Sequence, residues 1–277
     1  MIDNLLDGVH EACGGSIELG HKGEQKKISS QNVIRLDGGD VLNALDNGTV
    51  VGATAWTWAH ADQENQLDYL FIDEAGQMSL AMALAAARAA KNLVLLGDPQ
   101  QLEQPQKATH PEGSHIAALA HLIGDQQTIT EEQGLFLDTT YRMHPAICDF
   151  TSNQYYDGRL SSLPALKNQT IKGAGPHTGE QMMYVPVNHT GNQSRSIEEA
   201  ESIKYLVDSL LTTPHEFIDK DGCSEALTRA DILIVAPYNA QVSLLQRTLP
   251  HIENIGTVDK FQGRQAPIVI YLSLIHI

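Results

Sequence analysis

Short, unbroken apolar runs, each ending in a polar turn, are the feature that most limits what this chain can fold into. Strands of a parallel sheet that is covered on both faces have this pattern. The predicted strands are Thr49–Ala53, Tyr69–Ile72, Leu93–Leu96, Leu135–Leu137, Met183–Val187, Ile232–Ala236, Ile255–Val258 and Ile268–Leu272. Segments with a helical pattern lie between them: Leu80–Lys91, His115–Ile123, Pro145–Asn153, Ile197–Leu211 and Ala240–Leu249. This alternation predicts an α/β fold with mostly parallel sheets.

Length and composition further limit the kinds of protein that this chain can be. The 277 residues suffice for one large domain or two smaller ones, and 42% apolar with 19% charged residues is a globular composition. A net charge of −16 excludes a protein that coats nucleic acid with its whole surface, although a local basic groove remains open. No apolar stretch approaches the roughly 20 residues of a membrane span, so we expect no membrane partner. The three cysteines are widely spaced, which argues against a zinc site or disulfides and predicts a cytoplasmic location.

Two adjacent carboxylates give the strongest chemical signal. The predicted strand that ends at Ile72 runs directly into Asp73 and Glu74. The carboxyl ends of parallel strands line the ligand crevice of such sheets. One carboxylate there can hold Mg²⁺ while its neighbour orients or deprotonates a water. The alternative is an acidic strand end that only caps the next helix.

A second polar turn follows about twenty residues later. Gly97 and Pro99 force a tight turn after the next strand, so Asp98, Gln100 and Gln101 are expected at the same strand-end level as Asp73. An amide at this place can both donate and accept hydrogen bonds, which suits the recognition of a phosphate and its attacking water. The alternative is an ordinary Gly-Asp-Pro turn.

Three later segments add an arginine, aromatics and glycines at turns. Tyr141 and Arg142 precede a helix that starts at Pro145; the guanidinium suits bidentate phosphate contact and the ring suits stacking on a base. An alternative is that Arg142 only forms an ion pair with Asp138 or Asp149. The segments 232–241 and 256–265 are strands that end in polar turns.

Taken in order, these segments resemble a known family. The blocks VVGATAW, FIDEAGQ, LLGDPQQL, TYRMHP, ILIVAPYNAQ and GTVDKFQGR are similar to those of superfamily 1 helicases, in the branch of the nonsense-mediated-decay RNA helicase and the replication helicase-nuclease. The resemblance implies two RecA-like lobes of the P-loop NTPase type, here residues 1–134 and 135–277, with ATP bound between them. It also implies single-stranded DNA or RNA as the partner, and it leaves room for a nuclease domain in a longer parent protein.

The resemblance assigns a role to each matching residue. Asp73 would help to hold Mg²⁺, Glu74 would be the base for the hydrolytic water, and Gln101 would contact the γ-phosphate of ATP. Tyr141 would stack on adenine and Arg142 would reach the γ-phosphate. The residues implied to line the nucleotide cleft are Gln262, Gly263, Arg264 and Gln265. Those implied to lie near the nucleic-acid path are Thr54, Pro237, Tyr238 and Thr257.

Three departures from the family pattern shape these expectations. Gln265 stands where the family usually has Glu, so we expect a weaker contact to a ribose hydroxyl. The chain contains no Gly-Lys dipeptide and hence no G-x-x-x-x-G-K-[ST] phosphate loop. It also stops before the family's last motif. We therefore expect an internal piece of a longer helicase, with both lobes incomplete, that by itself hydrolyses ATP poorly.

Some residues favour structural roles. Trp56 and Trp58 follow the Gly-Ala-Thr turn, and packing is favoured over base stacking for both. Ser196, with Glu199 three residues later, predicts a capping box at a helix start. For the function as a whole, the alternative to a motor fragment is a non-hydrolysing nucleic-acid-binding or scaffold module on a degenerate RecA core.

Overall fold

The computed structural model describes residues 2–23, 30–101, 111, 113–175, 177–179, 182–261 and 263–273. Helices and strands alternate along this part of the chain. The helices are α1 (Ile2–Ala12), α2 (Asp40–Asp46), α3 (Ala55–Trp58), α4 (Leu80–Ala87), α5 (Ala118–Ile123), α6 (Pro145–Tyr155), α7 (Ile197–Thr212), α8 (Asn239–Thr248) and α9 (Val258–Phe261). The strands are β1 (Leu19–Lys22), β2 (Ile34–Leu36), β3 (Val50–Ala53), β4 (Leu67–Ile72), β5 (Ala90–Leu95), β6 (Thr139–Thr140), β7 (Ser161–Ser162), β8 (Thr170–Lys172), β9 (Glu216–Ile218), β10 (Ser224–Ala226), β11 (Ile232–Val235), β12 (Ile255–Gly256) and β13 (Ile268–Tyr271).

The chain divides into two compact units, Met1–Phe136 and Leu137–Ile277. In the first unit, β4 pairs with β5, and β1 lies between β2 and β3; all of these pairs are parallel. Ser79 caps the start of α4, because its Oγ accepts a hydrogen bond from the Met82 N–H at 3.4 Å. Buried side chains of β4, α4 and α5 form the core of this unit.

The second unit is built around β11, which lies between β12 and β13 in a parallel sheet. All four residues of β11 are buried, because the strand has a neighbour on each edge and α7 and α8 contribute to the core beside it. A two-stranded parallel pair, β6 and β7, and an antiparallel sheet in the order β10-β9-β8 complete the described strands of this unit. The predicted α/β class with mostly parallel sheets is confirmed.

Several predicted elements differ in the structure. Residues 135–137 and 183–187 are irregular, and no described strand pairs with them. Leu135 is 83% exposed and Tyr184 is 87% exposed, so these two apolar side chains lie outside the core. The helix predicted to reach Lys91 ends at Ala87, and Lys91 itself belongs to β5, which begins at Ala90.

The start of α7 confirms half of the predicted capping box. The Ser196 Oγ accepts a hydrogen bond from the Glu199 N–H at 3.1 Å. The reciprocal bond from the Ser196 N–H to the Glu199 side chain is not formed, because this N–H donates to Gln241 Oε1 at 2.8 Å. The helix start is therefore fixed by a residue of α8.

No helix in the described parts of the chain is both long and apolar enough to cross a membrane.

Candidate functional site

The carboxyl ends of β4 and β5 bring two predicted motifs together. The strands are parallel with Ile72 opposite Leu95. Beyond the strands the pairing continues, since the Leu96 N–H donates to the Ile72 carbonyl and the Ala75 N–H donates to the Leu96 carbonyl, both at 2.8 Å. The turn after β4 thus lies directly beside the turn after β5, as predicted from the sequence.

Two glycines allow these turns to touch through their backbones. A Cβ at Gly76 would lie 2.0 Å from the Asp98 carbonyl oxygen. Gly97 has a φ of +150°, and a Cβ on it would lie 2.9 Å from the Ala75 nitrogen. Since side chains would clash on both sides, only glycines permit this approach. The distance between the two motifs is therefore set by main-chain contact.

The paired carboxylates differ in environment. Asp73 is exposed, and its Oδ1 accepts a hydrogen bond from the Glu74 N–H at 3.0 Å. Glu74 is half-buried and has a φ of +55°, a left-handed conformation that is unfavourable for a residue with a long side chain. An exposed carboxylate at a strand end fits Mg²⁺, which proteins usually hold by one or two carboxylates together with phosphates and water. No cluster of three or more potential metal ligands occurs within the described residues.

Gln77 connects the two motifs, although its sequence pattern predicted no role for it. Its Nε2 donates to Glu74 Oε2 at 3.0 Å and to Gln101 Oε1 at 3.2 Å. Gln77 is only 8% exposed. The sequence signal that points to it is its spacing, three residues after Glu74 in the turn that also contains Gly76.

The two neighbouring glutamines of the second turn have different surroundings. The Gln100 N–H donates to Asp98 Oδ1 at 3.0 Å, and its side chain donates to the Gln127 carbonyl at 3.0 Å. Gln100 is thereby tied to the main chain. Gln101 instead directs its side chain towards Gln77, although it remains exposed.

Tyr141 and Arg142 lie in the second unit, just after β6. Tyr141 is 70% exposed, and the exposed Arg142 donates its backbone N–H to Thr140 Oγ1 at 3.3 Å. His144 caps α6, because its Nδ1 accepts from the Ala146 N–H at 3.1 Å. Among the described residues no carboxylate lies within ion-pair distance of the Arg142 guanidinium, so the proposed pairs with Asp138 and Asp149 are not formed.

A second strand-end edge of this unit gathers three more predicted residues. Pro237 and Tyr238 follow β11, and Thr257 follows β12. The two segments are joined by a hydrogen bond of 3.0 Å from the Ala236 N–H to the Gly256 carbonyl. Pro237 and Tyr238 are exposed. The structure therefore brings these three residues to one edge of the sheet.

The following segment packs against Phe261. The Arg264 guanidinium carbon lies 5.7 Å from the centre of the Phe261 ring, a cation–π arrangement. Gly263 has a φ of +76°, and Gln265 is exposed. Gln262 lies outside the described residues.

Thr54 is exposed and precedes α3 at the carboxyl end of β3. The two nearby tryptophans differ. Trp58 is buried in the core of the first unit, as predicted, whereas Trp56 is 74% exposed. The prediction that Trp56 packs is wrong, because α3 is a single short turn that directs only one of its two tryptophans inward.

Comparison with known families gives two matches, both described as an AAA domain. One match covers residues 16–104 and the other covers residues 119–276. The second match alone includes more than half of the chain.

Individual relatives have related names. The DNA-binding protein SMUBP-2 of Mesocricetus auratus is 30% identical over 250 residues, which is 83% of this chain and 24% of that protein. The DNA polymerase alpha-associated DNA helicase A of Schizosaccharomyces pombe is 27% identical over 289 residues, 97% of this chain and 43% of that protein. The DNA replication ATP-dependent helicase/nuclease DNA2 of Gallus gallus is 24% identical over 288 residues, 97% of this chain and 27% of that protein. This chain spans less than half of the length of each of these relatives.

Proposed function

Because this chain belongs to the superfamily 1 helicases, we propose that it forms the nucleotide-hydrolysing part of a motor that moves along single-stranded nucleic acid. The units 1–136 and 137–277 would be its two RecA-like lobes. The observation that carries this proposal is the hydrogen-bonded set Glu74–Gln77–Gln101 beside Asp73 at one strand-end edge. A scaffold protein has no chemical need for a carboxylate that is joined in this way to an exposed amide.

In this proposal Glu74 removes the proton from the water that attacks the γ-phosphate of ATP. Its Oε2 is occupied by the Gln77 amide, while no described residue donates to its Oε1. Oε1 is therefore the oxygen that takes the proton. Asp73 would hold Mg²⁺, which neutralises charge on the phosphates when bound. Gln101 would contact the γ-phosphate.

The second unit would supply the remaining groups. Tyr141 would stack on adenine, and Arg142 would stabilise the negative charge on the transferring phosphoryl group. The residues proposed to contact the nucleotide are Gln262, Gly263, Arg264 and Gln265. Because Arg264 rests on the Phe261 ring, its guanidinium is already restricted before nucleotide binds.

Thr54, Pro237, Tyr238 and Thr257 would lie along the nucleic-acid strand. The shared edge of Pro237, Tyr238 and Thr257 supports this assignment, since an exposed tyrosine ring offers a stacking surface. We propose single-stranded DNA as the strand, because the three relatives described above are named for DNA.

The three cysteines are free thiols, which supports a reducing compartment such as the cytoplasm.

The test is ATP hydrolysis by the full-length protein, measured with and without a single-stranded DNA or RNA oligonucleotide. We expect strand-stimulated turnover, and we expect Glu74→Gln to lower it at least about 100-fold while ATP binding persists. Glu132→Gln is the matched control, because Glu132 is an exposed glutamate of the same unit. If Glu74→Gln behaves like the control, Glu74 is not the base. Strand binding without any hydrolysis by the wild type would instead support the non-hydrolysing module.

A further inference from the structure

Gln77 is buried between the two residues to which the proposed reaction assigns the base and the phosphate contact. Its side-chain nitrogen lies 3.0 Å from Glu74 Oε2 and 3.2 Å from Gln101 Oε1. The two partners come from different turns, since Glu74 follows β4 and Gln101 follows β5. A single amide group therefore joins the base to the phosphate-contacting residue.

The chemistry of the three side chains fixes their orientation. An ionised carboxylate only accepts hydrogen bonds, so Gln77 must present its NH₂ group to Glu74. That group has two hydrogens, and the second is directed to Gln101. Gln101 must therefore present its carbonyl oxygen to Gln77. The donor end of Gln101, its own NH₂ group, is left for another partner.

We propose that Gln77 is a positioning residue that orients both the Glu74 carboxylate and the Gln101 amide, so that Gln101 meets the γ-phosphate with its NH₂ group. This proposal rests on the proposed function. The sequence left open whether the Gln101 amide donates or accepts; the contact with Gln77 assigns it the donor role. A donor is the complement of a phosphate oxygen, which only accepts.

The backbone holds Gln77 in place for this task. The Gln77 N–H donates to the Glu74 carbonyl at 2.9 Å, which closes the turn on which both residues lie. Gly76, between them, rests against the Asp98 carbonyl of the second turn. Because both turns are fixed, a displacement of Gln101 by the phosphate acts directly on the Gln77 amide and hence on Glu74. The base and the phosphate contact are mechanically coupled.

The experiment measures kcat and KM for ATP in the full-length protein carrying Gln77→Met or Gln77→Glu. Methionine keeps the length of the side chain but removes both donors, and we expect kcat to fall about 10-fold with KM for ATP nearly unchanged. Gln77→Glu places a second carboxylate beside Glu74, and we expect a larger loss. Gln126→Met is the matched control, because Gln126 is an exposed glutamine of the same unit.

A double-mutant cycle separates positioning from a purely structural role. If Gln77 acts through Glu74 and Gln101, Gln77→Met should change kcat less than about 2-fold in a background that carries both Glu74→Gln and Gln101→Ala. The melting temperature of Gln77→Met should stay within about 2 °C of the wild type. An equal loss of kcat in both backgrounds, or a large drop in melting temperature, would overturn the proposal.

A measurement on the 277-residue chain tests the geometry without relying on turnover. The Gln101 side-chain NH₂ signals are followed by NMR in ¹⁵N-labelled wild type and Gln77→Met. We expect these signals to shift and to broaden or average when Gln77 is replaced, since the amide loses its fixed orientation. Unchanged signals would overturn the proposal. If the full-length wild type hydrolyses no ATP but the Gln101 signals respond to Gln77→Met, the proposed function fails and the orienting contact stands.

Discussion

Each unit contains a buried glutamine near the end of a motif, and the two glutamines bind different kinds of group. Gln77 donates to the side chains of Glu74 and Gln101. Gln241 binds main chain: its Oε1 accepts from the Ser196 N–H at 2.8 Å and its Nε2 donates to the Ser196 carbonyl at 3.1 Å. Both motifs end in the same amino acid, yet one amide holds side chains suited to chemistry and the other holds the start of a helix.

The difference teaches that the two buried amides serve different purposes. Gln77 holds the candidate site of the first unit. Gln241 holds the joint between α7 and α8 in the second unit, where Tyr141 and Arg142 are exposed. Substitutions at the first place should change turnover more than stability, and those at the α7–α8 joint should do the reverse.

Arg142→Ala should have the largest effect. A guanidinium that stabilises the transferring phosphoryl group contributes about 1,000-fold or more to turnover, so ATP hydrolysis by the full-length protein should be nearly abolished. Because Arg142 has no ion-pair partner among the described residues, the melting temperature and strand binding without nucleotide should be nearly unchanged. Arg247→Ala, at an exposed position of the same unit, is the control. A large drop in melting temperature together with lost strand binding would make Arg142 a structural residue and break the comparison.

Gln241→Met should have the second-largest effect, a loss of stability of the folded chain. It leaves the fully buried Ser196 N–H and carbonyl without their partner, which should lower the free energy of unfolding by about 3 kcal/mol. Urea unfolding of the 277-residue chain measures this loss, and Gln246→Met on the exposed face of α8 should have little effect. Equal stability of the two variants would show that the α7–α8 joint does not depend on this amide.

Glu199→Gln should have the smallest effect. Unlike Gln241→Met, it should increase the free energy of unfolding. Burial raises the pKa of Glu199; His189, whose Nε2 lies 3.7 Å away, opposes the shift, and Glu198 adds to it. Since the fold favours the protonated form, the ionised form costs stability as pH rises through the raised pKa. Removing the charge should therefore raise the free energy of unfolding slightly at neutral pH.

The pH dependence identifies the cause of this gain. It should vanish below the ordinary pKa of a glutamate, where the wild-type side chain is protonated in both the folded and the unfolded state. Thermal melting of wild type and Glu199→Gln at neutral and acid pH measures this gain in stability. Glu201→Gln is the control, because Glu201 is exposed. A gain that persists at acid pH would mean that burial of the charge is not the reason.

Much of the fold could be predicted because it depends on local pattern. The runs in β4, β5, β11 and β13 are long enough to show as apolar stretches, although only β11 is buried along its whole length. Short strands such as β2, with the sequence Ile-Arg-Leu, lack that signal because pairing with a neighbour, and not their own sequence, makes them strands. The same reasoning explains residues 135–137, whose apolar sequence pairs with no described strand.

The sequence predicts which residues of the candidate site lie at the strand ends, but it does not predict the conformations of their side chains. Parallel pairing alone places Asp73 and Glu74 beside Gln101. The bridge through Gln77 depends on the conformation of two turns and on the close backbone approach at Gly76, which sequence pattern does not encode. The different burial of Trp56 and Trp58 likewise follows from the helical conformation of α3, since residues two positions apart do not share a helix face.

The backbone at Glu74 has a consequence for how this protein can change over time. Its φ of +55° is a conformation that glycine or asparagine adopts more readily than glutamate. A residue that accepts this backbone more readily would therefore relieve strain and remove the carboxylate in the same step. In the proposed mechanism the position exchanges stability for chemistry, so Glu74→Asn should give a slightly more stable protein without turnover.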